Sequence, residues 1–369
     1  MRGRIVRDIT PSPKNMRNSE GSFITLKDGS ILFAYSRFGN EGAHDNAASD
    51  IYAVQSFDNG ESFGEPFPIY KRQDVNATNI MSASLQRMAN GDLGLFFLAK
   101  RGQVLCMPHL VRSKDEGKTW SQPVCCVDRE GYYVLNNDRV IRLPNGRLFL
   151  TTAHHEMSVI NGEAVTLDKP ALFEVFASDD DGWTWFALNK PVSLPISKAL
   201  QYGVQEPGAV VLKDGRIWSF IRNFSGRQYE TFSSDNGVTW TPPVPSEFTA
   251  PPSPMTAKRL SDGRIMAVWN PIPIYPGNPE GVGFINAEGK EDYFWNWGRT
   301  PLVYAFSEDE TETFSRPVVL ESGDDHGYCY VAIYEVSDGV LLGYNAGGIE
   351  DGAGMLNRLR IRKIPLDEL

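Results

Sequence analysis

Two histidines and a glutamate, His154, His155 and Glu156, stand together at the end of an apolar run that is typical of a β-strand. An imidazole titrates near neutral pH, so this group is a candidate general acid or base. A zinc site needs a further ligand at a suitable spacing, which the sequence does not offer, so we expect neither a metal nor a cofactor. A structural role for the histidines is the alternative.

A run of acids, Asp179, Asp180 and Asp181, followed by Gly182, looks like the start of a calcium-binding loop. Such a loop needs a bidentate acid at its last position, where counting from Asp179 places Lys190. We therefore predict a structural turn at this run and no metal site.

A polar group, Asn137-Asp138-Arg139, begins a stretch whose pattern indicates a hairpin strand. Buried polar side chains are unfavourable unless they are paired or face a solvated pocket. The group therefore predicts either a pocket wall or a buried ion pair that holds one sheet.

Aromatic residues, Tyr293, Trp295 and Trp297, closely precede Arg299. Consecutive aromatic side chains cannot all enter one core, so we interpret them as a surface on which a sugar ring stacks. Packing between sheets is the alternative interpretation.

Strands must position these residues, because two short motifs recur along the chain. The first motif is an Asp-Gly or Asn-Gly pair between alternating apolar runs, which is a strong hairpin signal. Its glycines are Gly29, Gly91, Gly146, Gly215, Gly263 and Gly339. Each copy predicts a hairpin with a type I′ turn, in which both central residues have a positive φ.

The second motif reads Ser-x-Asp-x-Gly-x-Thr-Trp and alternates with the hairpins. Its copies start at Ser56, Ser113, Ser178, Ser233 and Ser307, and the last copy has Thr311 in place of the glycine. We expect the Asp to accept backbone N–H groups, the Gly to be left-handed and the final aromatic residue to pack inward.

Six hairpins at intervals of about 61 residues predict an all-β fold, a six-bladed β-propeller. No linker interrupts the series, so we expect residues 1–369 to form a single domain. The last hairpin has no copy of the second motif after it, and the chain ends in a strand-like run. One blade is therefore expected to be closed by strands from both termini, which removes free sheet edges.

Composition narrows the range of partners. The chain has 36 Lys and Arg against 46 Asp and Glu, a net charge of −10, so we expect no nucleic acid and no anionic membrane as a partner. No apolar run is long enough to span a bilayer. The four cysteines do not suggest a disulfide framework. We expect a cytoplasmic protein, or an exported one whose leader is absent from this sequence.

The second motif is the Asp-box, or BNR repeat, and its repetition on a propeller resembles the sialidase (neuraminidase) superfamily over essentially the full chain. The resemblance implies a retaining glycoside hydrolase with a Tyr nucleophile, a Glu that takes the tyrosine proton and an Asp that acts as acid/base. It also implies arginines that bind the substrate carboxylate, because guanidinium pairs with carboxylate in a bidentate manner.

The resemblance assigns these roles to particular residues. Glu206, followed sixteen residues later by Arg222, has the family spacing of the catalytic Glu and a carboxylate-binding Arg. Arg299, before the last Asp-box, resembles another such Arg. Tyr330 resembles the nucleophile, with Tyr328 as the second choice of register.

The loop between the first hairpin and the first Asp-box supplies the acid/base. Asp45 resembles it, whereas Asp50 is expected to have a structural role. The sequence departs from the family at the first carboxylate-binding Arg, where it has Glu20, and Arg17 or Arg37 is a candidate to compensate. The predicted substrate-binding residues are Arg37, Arg222, Arg299, Glu20, Asn137, Asp138, His154 and Trp297.

The leading hypothesis is an exo-acting hydrolase that releases a terminal, acidic sugar from a glycan or glycoconjugate. One alternative is a polysaccharide lyase, in which His154 or His155 and a Tyr remove a proton from a uronic acid. Another is a non-catalytic propeller that binds carbohydrate. The oligomeric state is not predicted.

Overall fold

The computed structural model describes residues 2–160, 163–166, 169–273, 282–286 and 288–369. Short 3₁₀ helices occur at Arg72–Val75, Lys198–Leu200, Ile349–Asp351 and Leu366–Glu368. The described residues otherwise form strands, turns and loops, without an α-helix. No helix in these ranges is long and apolar enough to cross a membrane.

The strands are numbered in chain order. The first are β1 (Arg4–Ile9), β2 (Arg17–Thr25), β3 (Ile31–Phe38), β4 (Ser49–Ser56), β5 (Phe67–Tyr70), β6 (Asn79–Arg87), β7 (Leu93–Arg101), β8 (Leu105–Ser113) and β9 (Val124–Cys125). They are followed by β10 (Tyr132–Val134), β11 (Ile141–Arg142), β12 (Leu148–His155), β13 (Met157–Ile160), β14 (Glu163–Thr166), β15 (Leu172–Ser178), β16 (Phe186–Ala187), β17 (Gln205–Val211), β18 (Ile217–Arg222), β19 (Arg227–Ser233) and β20 (Val244–Thr249). The last are β21 (Thr256–Arg259), β22 (Ile265–Trp269), β23 (Val282–Ile285), β24 (Glu291–Phe294), β25 (Leu302–Ser307), β26 (Val318–Glu321), β27 (Cys329–Val336), β28 (Gly339–Asn345) and β29 (Leu359–Pro365).

Most strands pair with the next strand along the chain. Four-stranded sheets have the orders β2-β3-β4-β5, β17-β18-β19-β20, β21-β22-β25-β26 and β1-β29-β28-β27. Strands β6 to β12, β15 and β16 form one nine-stranded sheet, in which a single parallel bridge between Tyr132 and Cys106 joins β10 to β8. The hairpins β13-β14 and β23-β24 stand apart from these sheets.

The hairpin turns differ from the type I′ turns expected. In the first copy, Gly29 has a φ of 86° but Asp28 does not have a positive φ, and Gly29 N donates to Leu26 O at 3.0 Å. A type I turn followed by one left-handed glycine makes this three-residue loop. The same φ range, 86° to 93°, occurs at Gly91, Gly146, Gly215 and Gly263. The hairpins therefore form, but the predicted turn type is wrong.

In the Asp-box turns, the aspartate accepts hydrogen bonds from other residues of the same turn. Asp180 accepts hydrogen bonds from Ser178 Oγ at 2.8 Å, from Thr184 N at 2.9 Å and from Thr184 Oγ1 at 2.6 Å. Burial alone raises the pKa of Asp180, but these hydrogen bonds outweigh burial and hold it at about 2. Trp185 is 9% exposed and donates from Nε1 to Gly182 O at 3.1 Å, which anchors the end of the turn.

The acids beside Asp180 pair with arginines. Asp179 Oδ1 lies 2.6 Å from Arg147 Nε, and Asp181 Oδ1 lies 2.6 Å from Arg142 Nη2. Within the described ranges, no group of three or more His, Cys, Asp or Glu is arranged to hold a metal ion.

Five strands surround a central space, and we call them the innermost strands: β2, β6, β17, β21 and β27. Strand β2 contacts β6 and β27, β17 contacts β12 and β21, and β21 contacts β27. The segment between β10 and β11 lies beside β6, because Asp138 N donates to Ala83 O and Arg139 N donates to Ser84 Oγ, both at 3.1 Å. Apolar clusters fill the space between neighbouring sheets.

Strands from both ends of the chain share a sheet. Strand β1 pairs antiparallel with β29, from Arg4 opposite Lys363 to Ile9 opposite Leu359. A buried acid on the neighbouring sheet, Glu321, secures this pairing: its Oε1 accepts from Arg360 at 2.9 Å. The same oxygen also accepts from Arg362 at 2.8 Å and from Tyr344 at 2.6 Å.

Candidate active site

The innermost strands are interrupted by β-bulges near the central space. Register shifts occur between Ser19 and Ser22, between Met81 and Ser84, between Gln205 and Gly208, and between Cys329 and Ala332. Each bulge contains a non-glycine residue with a positive φ, namely Glu20 (57°), Ser82 (61°), Glu206 (41°) and Tyr330 (58°). Left-handed residues of this kind are uncommon and concentrate at functional sites.

Tyr330 and Glu206 meet across the central space. Tyr330 is 7% exposed, and its hydroxyl donates to Glu206 Oε1 at 3.0 Å. Arg222, which pairs with Gln205 across the β17-β18 ladder, donates from Nη1 to Glu206 Oε2 at 2.5 Å. The same Nη1 lies 3.5 Å from Tyr330 Oη. Three groups predicted from separate parts of the chain therefore lie in direct contact.

Arg299 lies beside Tyr330 and Cys329, on the same side of the site as Arg222. Its guanidinium carbon lies 5.4 Å from the centre of the Tyr330 ring, and its Nη1 lies 3.0 Å from Cys329 Sγ. Burial, together with the charge of Glu206, raises the pKa of Tyr330 far above its usual value, although Arg222 and Arg299 oppose the shift. The phenol of the free protein is therefore protonated.

Arg17 organises the opposite side. It is 1% exposed and bridges two acids, with Nη1 at 2.5 Å from Asp45 Oδ1 and Nη2 at 3.2 Å from Glu20 Oε1. Glu20 Oε2 accepts from Ser82 Oγ at 2.8 Å. The two acids titrate differently. Burial raises the pKa of Glu20 to about 7 despite Arg17. Partial desolvation raises the pKa of Asp45, but the charges of Arg17 and Lys100 outweigh it and hold the pKa at about 2.

Of the two arginines proposed to compensate for Glu20, Arg17 lies in the site and Arg37 does not. The guanidinium carbon of Arg37 lies 4.5 Å from the centre of the Tyr52 ring. Asp50 pairs with Arg72, with Oδ2 at 2.8 Å from Nη1.

The polar group Asn137-Asp138 bridges innermost strands. Asn137 is 1% exposed and donates from Nδ2 to Gly21 O at 2.7 Å and to Tyr330 O at 3.3 Å. Asp138 has a φ of 56°, and its Oδ1 accepts from Ser22 Oγ at 2.8 Å. Both residues hold the bulged strands together, and neither contacts the Tyr330 hydroxyl.

The two histidines differ in their surroundings. His154 Nδ1 lies 3.0 Å from Glu174 Oε1, and its ring stacks on Tyr133 at a centroid distance of 4.5 Å. Burial, with the neighbouring His154 and the charge of Arg222, lowers the pKa of His155 to about 4. His155 is therefore neutral near pH 7.

Lys100 belongs to the site although sequence reasoning missed it. Its side chain is buried, its Nζ donates to Asp45 O at 2.8 Å, and it lies 5.7 Å from the centre of the Tyr132 ring. The available signal was a lysine near the end of the otherwise apolar strand β7.

The aromatic residues before Arg299 are exposed. Tyr293 is 58% exposed, Trp295 43% and Trp297 59%. Trp297 also has a positive φ of 54°. An exposed indole two residues from Arg299 is compatible with a stacking surface at the edge of the site.

Comparisons with known proteins agree with this architecture. Residues 76–342 match the family model described as the BNR repeat-like domain. The chain therefore belongs to the BNR repeat-like domain family. A comparison with curated proteins found no match.

Solved structures share the fold. A protein of unknown function from Dyadobacter fermentans has a TM-score of 0.69 at 19% identity, over 98% of this chain and 99% of that one. The NanB sialidase from Streptococcus pneumoniae has a TM-score of 0.68 at 14% identity, over 100% of this chain and 71% of that one. The intramolecular trans-sialidase from Ruminococcus gnavus has a TM-score of 0.67 at 14% identity, over 100% and 98%. These likenesses show an all-β, propeller-like fold.

Proposed function

We propose that this protein is a retaining, exo-acting glycoside hydrolase that releases a terminal acidic sugar. The observation that carries the proposal is the buried contact of 3.0 Å between Tyr330 Oη and Glu206 Oε1. A hydroxyl nucleophile is weak until a neighbouring base takes its proton, and Glu206 is in hydrogen-bonding reach to do so.

In the first step, Tyr330 Oη forms a bond to the anomeric carbon while the bond from that carbon to the leaving oxygen breaks. Glu206 takes the phenol proton, and Asp45 gives a proton to the leaving oxygen. In the second step, water attacks the anomeric carbon and loses a proton to Asp45. The bond to Tyr330 Oη breaks, and Glu206 returns the proton to the phenolate.

The charge state of Asp45 sets a condition on this mechanism. With a pKa held at about 2, Asp45 is a carboxylate in the free protein near neutral pH. It can act as a proton donor only when bound substrate separates it from Arg17 or when the reaction runs at acid pH. The Asp45 side chain is 63% exposed, so a leaving group can reach it.

The acidic group of the sugar is assigned to Arg299. Arg222 already shares an ion pair with Glu206, and Arg17 lies between two acids. Within the described ranges, the Arg299 guanidinium makes hydrogen bonds only to the Cys329 thiol and to the carbonyl of Pro252. A buried guanidinium without a carboxylate partner favours an anionic ligand.

The described contacts do not favour the lyase alternative. His154 Nδ1 is held by Glu174, and neither His154 nor His155 makes a hydrogen bond to Tyr330 among the described residues. A lyase base must lie within reach of the proton that it removes.

The test is release of fluorophore from a panel of aryl glycosides that includes sialic, deaminated sialic and uronic acids. Wild-type protein is expected to hydrolyse at least one acidic member. Tyr330→Phe removes the nucleophile and is expected to lower kcat/KM at least about a hundredfold. Tyr328→Phe is the matched control, because it removes a buried hydroxyl that contacts neither Glu206 nor Arg222 in the described structure.

The outcomes separate the hypotheses. Full activity in Tyr330→Phe, or equal losses in both variants, contradicts the role of Tyr330. An unsaturated product that absorbs in the near ultraviolet indicates a lyase. Binding of a glycan without turnover of any glycoside indicates a non-catalytic propeller.

We also propose that the strands form a ring of six blades in one domain over residues 1–369. The nine-stranded sheet is held together between β8 and β10 by one parallel bridge, and dividing it there leaves two units of the usual blade size. Together with the four-stranded sheets, these units make six. An experimental structure would count the blades directly.

A further inference from the structure

A cavity of about 390 Å³ lies among the innermost strands on the side away from Glu206. Its lining includes Val211, the last residue of β17, whereas Glu206 is the second residue of that strand. Five residues of strand span about 17 Å. The cavity therefore extends away from Glu206, and Ala209, three residues from Glu206, marks its near end on this strand.

The most buried charged side chain in the lining is that of Arg139. Arg139 is 3% exposed, its Nη2 donates to Met255 O at 2.5 Å, and its guanidinium carbon lies 5.0 Å from the centre of the Phe220 ring. Its Nε is buried without a hydrogen-bond partner, and no Nη1 hydrogen bond is made to the described residues. No carboxylate in the described part of the chain forms an ion pair with it.

Other arginines of the lining are neutralised. Arg142 Nη2 lies 2.6 Å from Asp181, and Arg259 Nη2 lies 2.5 Å from Glu310. Their charges are therefore satisfied by neighbouring turns, unlike that of Arg139.

Lys258 and Asp138 are the remaining charged groups of the cavity. Lys258 is a half-exposed lysine whose Nζ donates to Ile333 O at 2.9 Å and lies 3.4 Å from Asp138 Oδ2. Asp138 is the acid of the described lining that faces these two cations, and Glu206, which is paired with Arg222, also acts on Arg139 through its charge. The described lining therefore carries one positive charge that no carboxylate of the lining pairs with. Burial lowers the pKa of Arg139 to about 10, although the charges of Glu206 and Asp138 oppose the shift.

We propose that this cavity binds a small oxyanion, such as phosphate, sulfate or a carboxylate, between Arg139 and Lys258. A buried guanidinium without a carboxylate partner is unfavourable, and a bound anion is one of the few arrangements that offsets its charge. An oxyanion presents several acceptor oxygens, so it can accept from the free guanidinium N–H groups and from the ammonium at the same time. This site does not depend on the hydrolase activity.

The first measurement is thermal unfolding of the full chain with increasing sulfate at constant ionic strength. Wild-type protein is expected to gain stability with sulfate, because an ion that binds only the folded state raises the midpoint. Lys258→Met removes one charge-assisted contact from a half-exposed position and is expected to weaken sulfate binding about 10- to 100-fold. Lys169→Met is the control, since Lys169 is a comparable exposed lysine that pairs with Glu156 outside the cavity.

Sulfate is also expected near Arg299, so a second measurement locates the ion. Crystals soaked in selenate are expected to show an anomalous peak within hydrogen-bonding reach of Arg139. Arg139→Gln is expected to abolish that peak if the variant folds. Equal stabilisation of wild type and Lys258→Met, or selenate peaks only outside the cavity, would overturn the proposal.

Discussion

At the scale of single residues, the raised pKa of Glu20 bears on whether an acidic sugar can bind beside this side chain. An ionised acid at this position would repel the carboxylate of an acidic sugar. Burial raises the pKa of Glu20 to about 7, so the side chain is neutral below that pH. An acidic substrate is therefore compatible with Glu20 at mildly acid pH.

This titration predicts how stability depends on pH. The pKa of Glu20 is raised from 4.5 to about 7, so between these values the folded state binds more protons than the unfolded state. The free energy of unfolding must then fall as pH rises through this window. Relative to Glu20→Gln, wild type is expected to lose on the order of 2 kcal/mol between about pH 4.5 and about pH 8. Urea unfolding at several pH values measures the difference.

Glu65→Gln is the matched control for this experiment. Its carboxylate is 86% exposed and, among the described residues, pairs with Arg7 alone, so replacing it is expected to change stability little across this pH range. A wild-type stability that rises with pH relative to Glu20→Gln would contradict the raised pKa.

At the scale of elements, register decides which arginine reaches the site. Arg37 lies opposite Asn18 in the β2-β3 ladder, and directly opposite residues share a face of the sheet. Arg17 precedes Asn18 and therefore points to the other face. The spacing of Arg17 and Arg37 in the sequence could not distinguish them, because the pairing register comes from the folded hairpin.

Local patterns and long-range contacts differ in how well they could be predicted. The hairpins and Asp-box turns follow from a few adjacent residues, and Glu206, Arg222 and Tyr330 follow from a family resemblance. The contacts of Lys100 with Asp45 and of Ser82 with Glu20 join different sheets. Nothing in the local sequence marks Ser82 or Glu20 as left-handed, because the bulges arise where strands meet around the central space.

The fifth Asp-box allows a prediction about one turn. Thr311 has a φ of 79°, at the position where Gly60, Gly117, Gly182 and Gly237 have values of 81° to 92°. A β-branched residue in this region is strained, whereas glycine is not. Thr311→Gly is therefore expected to stabilise the protein by about 1 kcal/mol, after allowing for the greater freedom of glycine in the unfolded chain. Urea unfolding measures the gain.

The adjacent residue provides the control. Glu312 is exposed and does not have a positive φ, so Glu312→Gly relieves no strain and is expected to destabilise by about 0.5–1 kcal/mol. If Thr311→Gly destabilises as much as Glu312→Gly, the backbone strain at Thr311 is not significant.

At the scale of the whole molecule, the N-terminal strand occupies the edge that β29 would otherwise expose. Its pairing is reinforced by Asp8, whose Oδ1 and Oδ2 accept from Arg360 Nε and Nη2 at 2.8 Å and 2.9 Å. Arg360 in turn reaches Glu321 on β26 of the neighbouring sheet. A chain of charge-assisted hydrogen bonds thus connects the first strand to the last strand and then to the adjacent sheet.

This arrangement predicts that Asp8 matters more for stability than an ordinary surface acid. Asp8→Ala leaves the buried Arg360 with one acid partner fewer and is expected to destabilise by about 2 kcal/mol. Glu65→Ala, which removes a single exposed ion pair to the same strand through Arg7, is expected to change stability by less than about 0.5 kcal/mol. Thermal and urea unfolding of both variants provide the comparison. Equal effects would mean that the terminal strand is held by its backbone ladder alone, because the charged chain through Arg360 would then contribute nothing specific to closing the molecule.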